Sequence, residues 1–418
     1  MTAKVGSALL VQLQDPAGAW VDVGLLNNSQ SRNWFEFIPS YWDQPARPIL
    51  GQVFEEHGRD WQPNAHVALP RWFSHLLPEG RLREAVARAA DVSRVREFEL
   101  LRRLGPTDLQ GAVRAVPALT DGLRYEVPLE LLEDFEADED PLLKFSLAGT
   151  QLKYSILEDG RGLTIPARGL AGNVIVKLPD GRPGFDGVPE AEFGALALAR
   201  HADFSTAEAS LVKLADIEGL GQWVAWVQDL PVLAVKRFDR ATPNRRIHME
   251  ELAQVLNTPT AREDAKYKSA NFETVAIYVA ALAGVDAVAA VIDRLVLNTL
   301  VGNGDAHVKN WAFLYTDGRK PSLSPLYDVL PTVLYIPTDN LGLKLNKSKH
   351  FTDVAINSFD EIGRRTEYGV SEARRQARAA VQRILDSWPI LQSYLTAENY
   401  SRLTARLKEL PLVGPSSL

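Results

Sequence analysis

The chain has 418 residues, 46% of them hydrophobic and 24% charged, the proportions of a soluble globular protein with room for one large core or roughly two to three domains. Its net charge of −7 supplies no global field for nucleic acid, and the absence of cysteine excludes disulfides, thiolate nucleophiles and cysteine-based zinc sites. The start, MTAKVGSALLVQLQD, is too polar for a signal peptide. The best membrane candidate, Ile277 to Val301, is interrupted by Asp286, Asp293 and Arg294, so a buried helix pair is expected there and no membrane association. A reducing cytoplasm fits these features.

Taken in order, Ala8 to Gln14 alternates Leu9, Val11 and Leu13 on one face. With Trp20 to Leu26 and Trp34 to Ile38 it predicts a small antiparallel sheet. Arg81 to Ala90 and Val95 to Leu104 read as helices, the second stopped by Gly105-Pro106. The arginines from Arg71 to Arg103 make this region basic, read as a solvated helical face in preference to a phosphate or partner surface. From Pro117 to Asp140 the composition turns acidic, which predicts a short helix and a linker near a domain boundary.

Phe145 to Gly160 then reads as strand, turn at Ala148-Gly149, and strand. Asn173 to Leu178 is an apolar strand carrying Lys177. A strand lysine ordinarily marks an exposed edge, but one following Val174-Ile175-Val176 also matches the lysine that neutralises nucleotide phosphates. Pro189 to His201 is a helix with an acidic first turn, where Glu192 either compensates the helix dipole or partners Lys177. Two strands between Leu211 and Phe238 run into KRFDR; helices are expected over Met249 to Leu256, Phe272 to Ala283 and Asp286 to Leu300. Trp311 to Tyr315 and Leu326 to Val329 read as short strands, and the tail from Ser371, a plausible N-cap, as amphipathic helix.

The stretch that gives this order a meaning is LVGNGDAHVKN, Leu300 to Asn310. Asp305 lies five residues before Asn310, the spacing of a phosphoryl-transfer loop in which an aspartate orients the attacking hydroxyl and an asparagine holds Mg²⁺. The spacing alone is also that of a polar turn after a buried helix. Strands first, one lysine ending an apolar strand, helices second, and then Asp305, Asn310 and Asp328 form the order of a bilobal α+β kinase.

SLAGTQLKYS (Ser146 to Ser155), VKLP (Val176 to Pro179), KRFDR (Lys236 to Arg240), NGDAHVKN (Asn303 to Asn310) and LYDV (Leu326 to Val329) resemble the HipA family of bacterial serine/threonine kinase toxins. WFSHLLPEG (Trp72 to Gly80) and Gly111 to Val113 resemble that family's N-terminal subdomain, so the likeness spans most of the chain. It implies a HipA-like N-terminal subdomain over 1–116, an acidic linker or helix over 117–140, a nucleotide-binding part over 141–240 and a helical catalytic lobe over 241–418. It also implies ATP and Mg²⁺ as cofactors, with Ala148, Gly149, Thr150, Gln151 and Lys153 in the nucleotide loop and Lys177 on the phosphates. Backbone at Lys236, Arg237 and Phe238 would form the adenine hinge. Asp305 would be the base, Lys309 a support for the transferred group, Asn310 and Asp328 the metal ligands, and Ser146 an autophosphorylation site. His307 is read as locking the loop by hydrogen bonding.

Three departures stand out: Lys236 and Leu152 replace common glutamates, and Ala191-Glu192 replaces an Asn-Glu pair. They bear on nucleotide affinity and loop regulation rather than on the base or the metal ligands. The implied activity is that of a toxin kinase acting on a protein substrate, an aminoacyl-tRNA synthetase or other translation factor. The implied partner is a small helix-turn-helix antitoxin through which DNA is mainly contacted. The alternatives are a nucleotide-binding co-repressor or scaffold, and a kinase of the same shape acting on a lipid or small molecule.

Overall fold

The computed structural model describes residues 8–106, 108–128, 153–160, 162–166, 171–179, 181–219, 230–242 and 245–414. Ser146 and the loop residues Ala148, Gly149, Thr150 and Gln151 lie outside them.

The first sheet comprises β1 (Ala8–Gln14), β2 (Trp20–Ser29), β3 (Arg32–Phe37), β4 (Asn64–His66), β5 (Val113–Asp121) and β6 (Arg124–Glu126), in the order β4-β3-β2-β1-β5-β6. Its pairings are antiparallel, with Leu9 opposite both Leu26 and Pro117. Because strand side chains alternate, Leu9, Val11 and Leu13 enter a core with Phe35, Phe54 and Trp72, while Leu10 joins Leu25 and Val116 on the other face. Helices Gly80–Ala89 and Glu97–Leu104 follow as expected. The expected helix after Pro117 is not found in the described part of that stretch, residues 117–128. Backbone pairing of Thr120 with Tyr125 makes it the β5–β6 hairpin.

The second sheet comprises β7 (Lys153–Asp159), β8 (Gly162–Thr164), β9 (Val174–Lys177), β10 (Ala209–Lys213), β11 (Ile217–Glu218) and β12 (Pro231–Lys236), in the order β10-β12-β9-β7-β8-β11. β9 is therefore interior, between β12 and β7, and Lys177 is not an edge lysine. Beyond it lie the small pair β13 (Arg240–Thr242) and β14 (Arg245–Arg246), and a sheet of β15 (His248–Glu251), β16 (Ala312–Tyr315) and β17 (Ser322–Leu323). Helices Phe272–Ala283, Val288–Val301, Asp360–Arg365, Val370–Ser387 and Ala397–Leu407 build the second lobe around Val291, Leu295, Phe313 and Ile384.

Three local expectations are corrected. Met249 does not start a helix: His248–Glu251 pairs with Tyr315 through Ala312, and only Leu252–Val255 is helical. Leu326 makes a single bridge to Thr206 rather than a strand, since Asp328 takes φ = +58° and turns the chain. The helix expected from Ser371 begins at Val370, after Gly369, whose φ of +95° suits a residue without a side chain.

A buried ionic network ties the segment before β5 to the end of β12 and to β13. Arg237 contacts Asp108 at 2.6 Å and Asp239 at 2.8 Å; Arg240 contacts the same two aspartates at 2.9 and 2.8 Å. Each of these side chains is at most 5% exposed, so the charges survive burial only as a set. Asp108 precedes β5 of the first sheet and also accepts from Ser155 of β7 in the second.

Candidate active site

The catalytic-loop candidates are placed by the end of helix Val288–Val301. Gly302 closes it in the left-handed region at φ = +74°, where an added Cβ would lie 2.4 Å from Val333 Cγ2. Gly302 N and Asn303 N both donate to Asn298 O, and Asn303 Oδ1 accepts from Asp305 N at 3.0 Å. Asn310 Nδ2 donates to Asp305 O at 3.0 Å, which closes the loop on itself and leaves the Asn310 Oδ1 end as an acceptor. The same amide reaches Asp328 O at 3.5 Å.

Lys177 stands opposite. Its ammonium contacts Glu192 Oε1 at 2.6 Å and also Asp328 Oδ1. Lys177 and Glu192 are buried, whereas the Asp328 side chain is 37% exposed and, among the described residues, nothing donates to its Oδ2. Burial disfavours the Lys177 charge, but Asp328 and Glu192 outweigh it and hold the pKa above the ordinary lysine value. Burial likewise opposes the Asp328 charge, and Lys177 and Lys153 overcome it, keeping the carboxyl below its usual range. Of the two readings of Glu192, the lysine partner is the one observed.

Lys309 is buried between Glu79 at 2.7 Å and Glu251 at 3.5 Å. Burial penalises its charge, and the two carboxylates more than restore it. Glu251 is pushed up to about 7 by burial, partly offset by Lys309. His307 does not lock the loop through its ring: among the described residues its buried Nδ1 has no partner, Nε2 stays 3.8 Å from Asp305 Oδ1, and burial lowers its pKa to about 4. Backbone and the asparagines do that work instead.

Lys153, Lys177, Lys236, Arg237, Phe238, Asp305, Lys309, Asn310 and Asp328 line one cleft of about 190 Å³. Lys236 presents a 55% exposed side chain paired with Glu208 at 3.0 Å, the Arg237 side chain turns into the ionic network, and the Phe238 ring packs 5.3 Å from that of Tyr327. On the other side of Asp305 opens a groove of about 1070 Å³, walled by Arg182, Phe185, Tyr267, Thr332 and Lys349. Sequence reading missed Glu79, Glu251 and Tyr267. Glu79 lay within the quoted WFSHLLPEG stretch, but nothing local marks it as a partner of a residue 230 positions later.

Asn310 and Asp328 offer oxygens of the kind Mg²⁺ prefers, and two protein ligands suffice where nucleotide phosphates supply others. Among the described residues no cluster of three or more histidine, aspartate or glutamate side chains could hold a metal alone. No helix among them is long and apolar enough to cross a membrane.

Two lobes with an interior-strand lysine paired to a helix glutamate, facing an Asp…Asn loop and a second aspartate, define a bilobal α+β kinase-like fold. Residues 145–388 match the HipA-like C-terminal domain and residues 19–116 the HipA N-terminal domain. The chain belongs to the HipA family. It is 36% identical over 372 residues to Y4dM of Sinorhizobium fredii, named as a kinase, covering 87% of this chain and 88% of that protein. It is 26% identical over 291 residues to the serine/threonine-protein kinase toxin HipA of Shewanella oneidensis, covering 62% of each. The solved HipA of Shewanella oneidensis MR-1, in a complex with HipB and operator DNA, superposes with a TM-score of 0.67 at 20% identity over 96% of both chains.

Proposed function

We propose that this chain is an ATP- and Mg²⁺-dependent serine/threonine protein kinase and the toxin of a type II toxin–antitoxin pair. The observation that carries the reading is the convergence of Lys177, Glu192, Asp305, Asn310 and Asp328 on one cleft. Lys177, fixed by Glu192, neutralises the nucleotide phosphates. The backbone from Lys236 to Phe238 and the segment at Lys153 bound the base and phosphate ends of the nucleotide, with Ala148, Gly149, Thr150 and Gln151 as the covering loop. Asp305 accepts the proton of the acceptor hydroxyl, and Lys309 offsets charge on the phosphoryl group in flight. Asn310 and Asp328 hold Mg²⁺, which when bound neutralises phosphate charge.

The substrate proposed is a protein, for which the open groove of about 1070 Å³ beside Asp305 offers room. By family likeness that substrate is a translation component such as an aminoacyl-tRNA synthetase, and Ser146 is an autophosphorylation site. A helix-turn-helix antitoxin is the proposed partner. The complex of the Shewanella HipA with HipB and operator DNA supports this, and a net charge of −7 suits a chain that meets DNA mainly through that partner in the cytoplasm.

The test is incubation of purified protein with γ-labelled ATP and Mg²⁺, alone and with cytosolic lysate, followed by mass spectrometry. Label on a discrete lysate protein, lost in Asp305→Asn while ATP still binds, is the expected outcome. Undiminished transfer by Asp305→Asn removes the assignment of the base.

A further inference from the structure

We infer that Tyr267 is a positioning residue for the base, an inference that rests on the reading of Asp305 given above. Tyr267 ends the 3₁₀ turn Glu263–Tyr267, well separated in sequence from the catalytic loop, yet its hydroxyl donates to Asp305 Oδ1. Among the described residues nothing donates to Oδ2, and the Asp305 side chain is 49% exposed. The carboxylate is therefore gripped by one oxygen and presents the other. Tyr267 and Asp305 both line the large groove in which an acceptor would lie, and Asp305 also lines the cleft of Lys177 and Asp328, so the carboxylate stands between the two spaces.

The grip is rigid because Tyr267 is itself wedged. Its ring meets the His307 ring edge-on at 5.1 Å, and the ammonium groups of Lys266 and Lys349 lie 5.4 and 5.7 Å from its centroid. Lys266, the preceding residue, reaches Glu79 at 3.5 Å, which anchors the turn to the N-terminal lobe. The phenol stays a donor across the working range, since burial and the Asp305 charge both oppose its ionisation. A carboxylate free to rotate about its terminal torsion offers either oxygen at many angles. One fixed donor sets its plane before the acceptor arrives, the kind of preorganisation that lowers a transfer barrier.

The experiment compares the full chain with Tyr267→Phe, using Mg·ATP and dephosphorylated casein as the acceptor, with mant-ATP binding and thermal melting measured on both. Removing one hydroxyl is expected to lower kcat roughly tenfold or more while casein KM, mant-ATP affinity and Tm stay within about twofold or a few degrees. An unchanged kcat overturns the inference. So does a raised kcat with a lower casein KM, which would make the phenol a plug in the acceptor's place, and so does a parallel loss of binding and Tm, which would make it ordinary packing. Asp305→Asn is measured alongside. If it transfers at the native rate, the base assignment fails and this inference with it; if it is inactive while Tyr267→Phe is unimpaired, only Tyr267 is dismissed.

Discussion

Glu192→Gln removes one charge from the buried cluster while keeping its shape. In the native protein Lys177 is shared between Glu192 at 2.6 Å and Asp328, with side-chain exposures of 9% for Lys177, 4% for Glu192 and 37% for Asp328. Glutamine still offers Lys177 a carbonyl oxygen, and it relieves the burial that pushes Glu192 above its ordinary pKa. The net stability change is expected to stay within about 1 kcal/mol, below the ~1.5–3 kcal/mol of a full charged hydrogen bond. Catalysis should suffer more. With Glu192 neutral, Asp328 is the carboxylate left to Lys177 among the described residues, and the ammonium is drawn toward the oxygens proposed for Mg²⁺. A loss of ~2–2.7 kcal/mol in transition-state stabilisation corresponds to roughly 30- to 100-fold in kcat/KM for ATP. Initial rates against Mg·ATP at several Mg²⁺ concentrations, paired with thermal melts, separate the two effects. A variant with native kcat/KM and native Mg²⁺ dependence would refute the reasoning, because it would mean that the Glu192 charge does not hold Lys177 in its working position.

Glu79→Gln should weaken the hold on Lys309, whose remaining carboxylate, Glu251, is 3.5 Å away; a stability loss of about 1–3 kcal/mol and slower casein labelling are expected, read by urea unfolding and rate assays. Gly304→Ala places a Cβ 2.1 Å from Asp339 Oδ2 and 2.6 Å from Asn340 O, so the loop must shift; a cost of about 1–3 kcal/mol with a clear drop in transfer should appear in melts and rates. Acid should unfold the protein through its buried aspartates. Burial opposes the charges of Asp108 and Asp239, yet Arg237 and Arg240 hold both pKa values below the ordinary carboxylate value. Their stabilisation is therefore fully present above that value, near pH 4, and is lost as pH falls through the folded pKa; urea midpoints from pH 7 down to pH 3 should fall, less steeply in Asp108→Asn.

What could be read from the sequence was what the chain holds close together. The Asp305 to Asn310 spacing sits within one loop, and Lys177 is announced by the three apolar residues before it, so both were legible without a fold. Glu192 was legible as a choice between two roles, and only the placing of helix Val188–His201 against β9 decided it. Glu79, Glu251 and Tyr267 were not legible. Each reaches the site across a long sequence interval, and neither a glutamate before a helix nor a tyrosine in a short turn carries a local signal of its destination. Asp328 shows a different failure: LYDV has strand composition, but the left-handed backbone at Asp328 ends the extension and points the carboxylate at Lys177. Met249 fails similarly, since pairing with Leu314 overrides its helical pattern.

The network of Asp108, Arg237, Asp239 and Arg240 also bears on how the gene can be cut. Asp108 lies before any boundary drawn near residue 116, and both guanidiniums lie after it. A fragment beginning after that boundary would keep two buried arginines facing a single aspartate, with Gly111 N no longer donating to Asp239. The missing carboxylate cannot be replaced by water without opening the interface that excludes it. The buried contacts of Asp108 thus cross from the segment matched by the N-terminal family model to the one matched by the C-terminal model. Truncated expression of the catalytic half alone should yield aggregate, while co-expression of both halves as separate chains should recover soluble material.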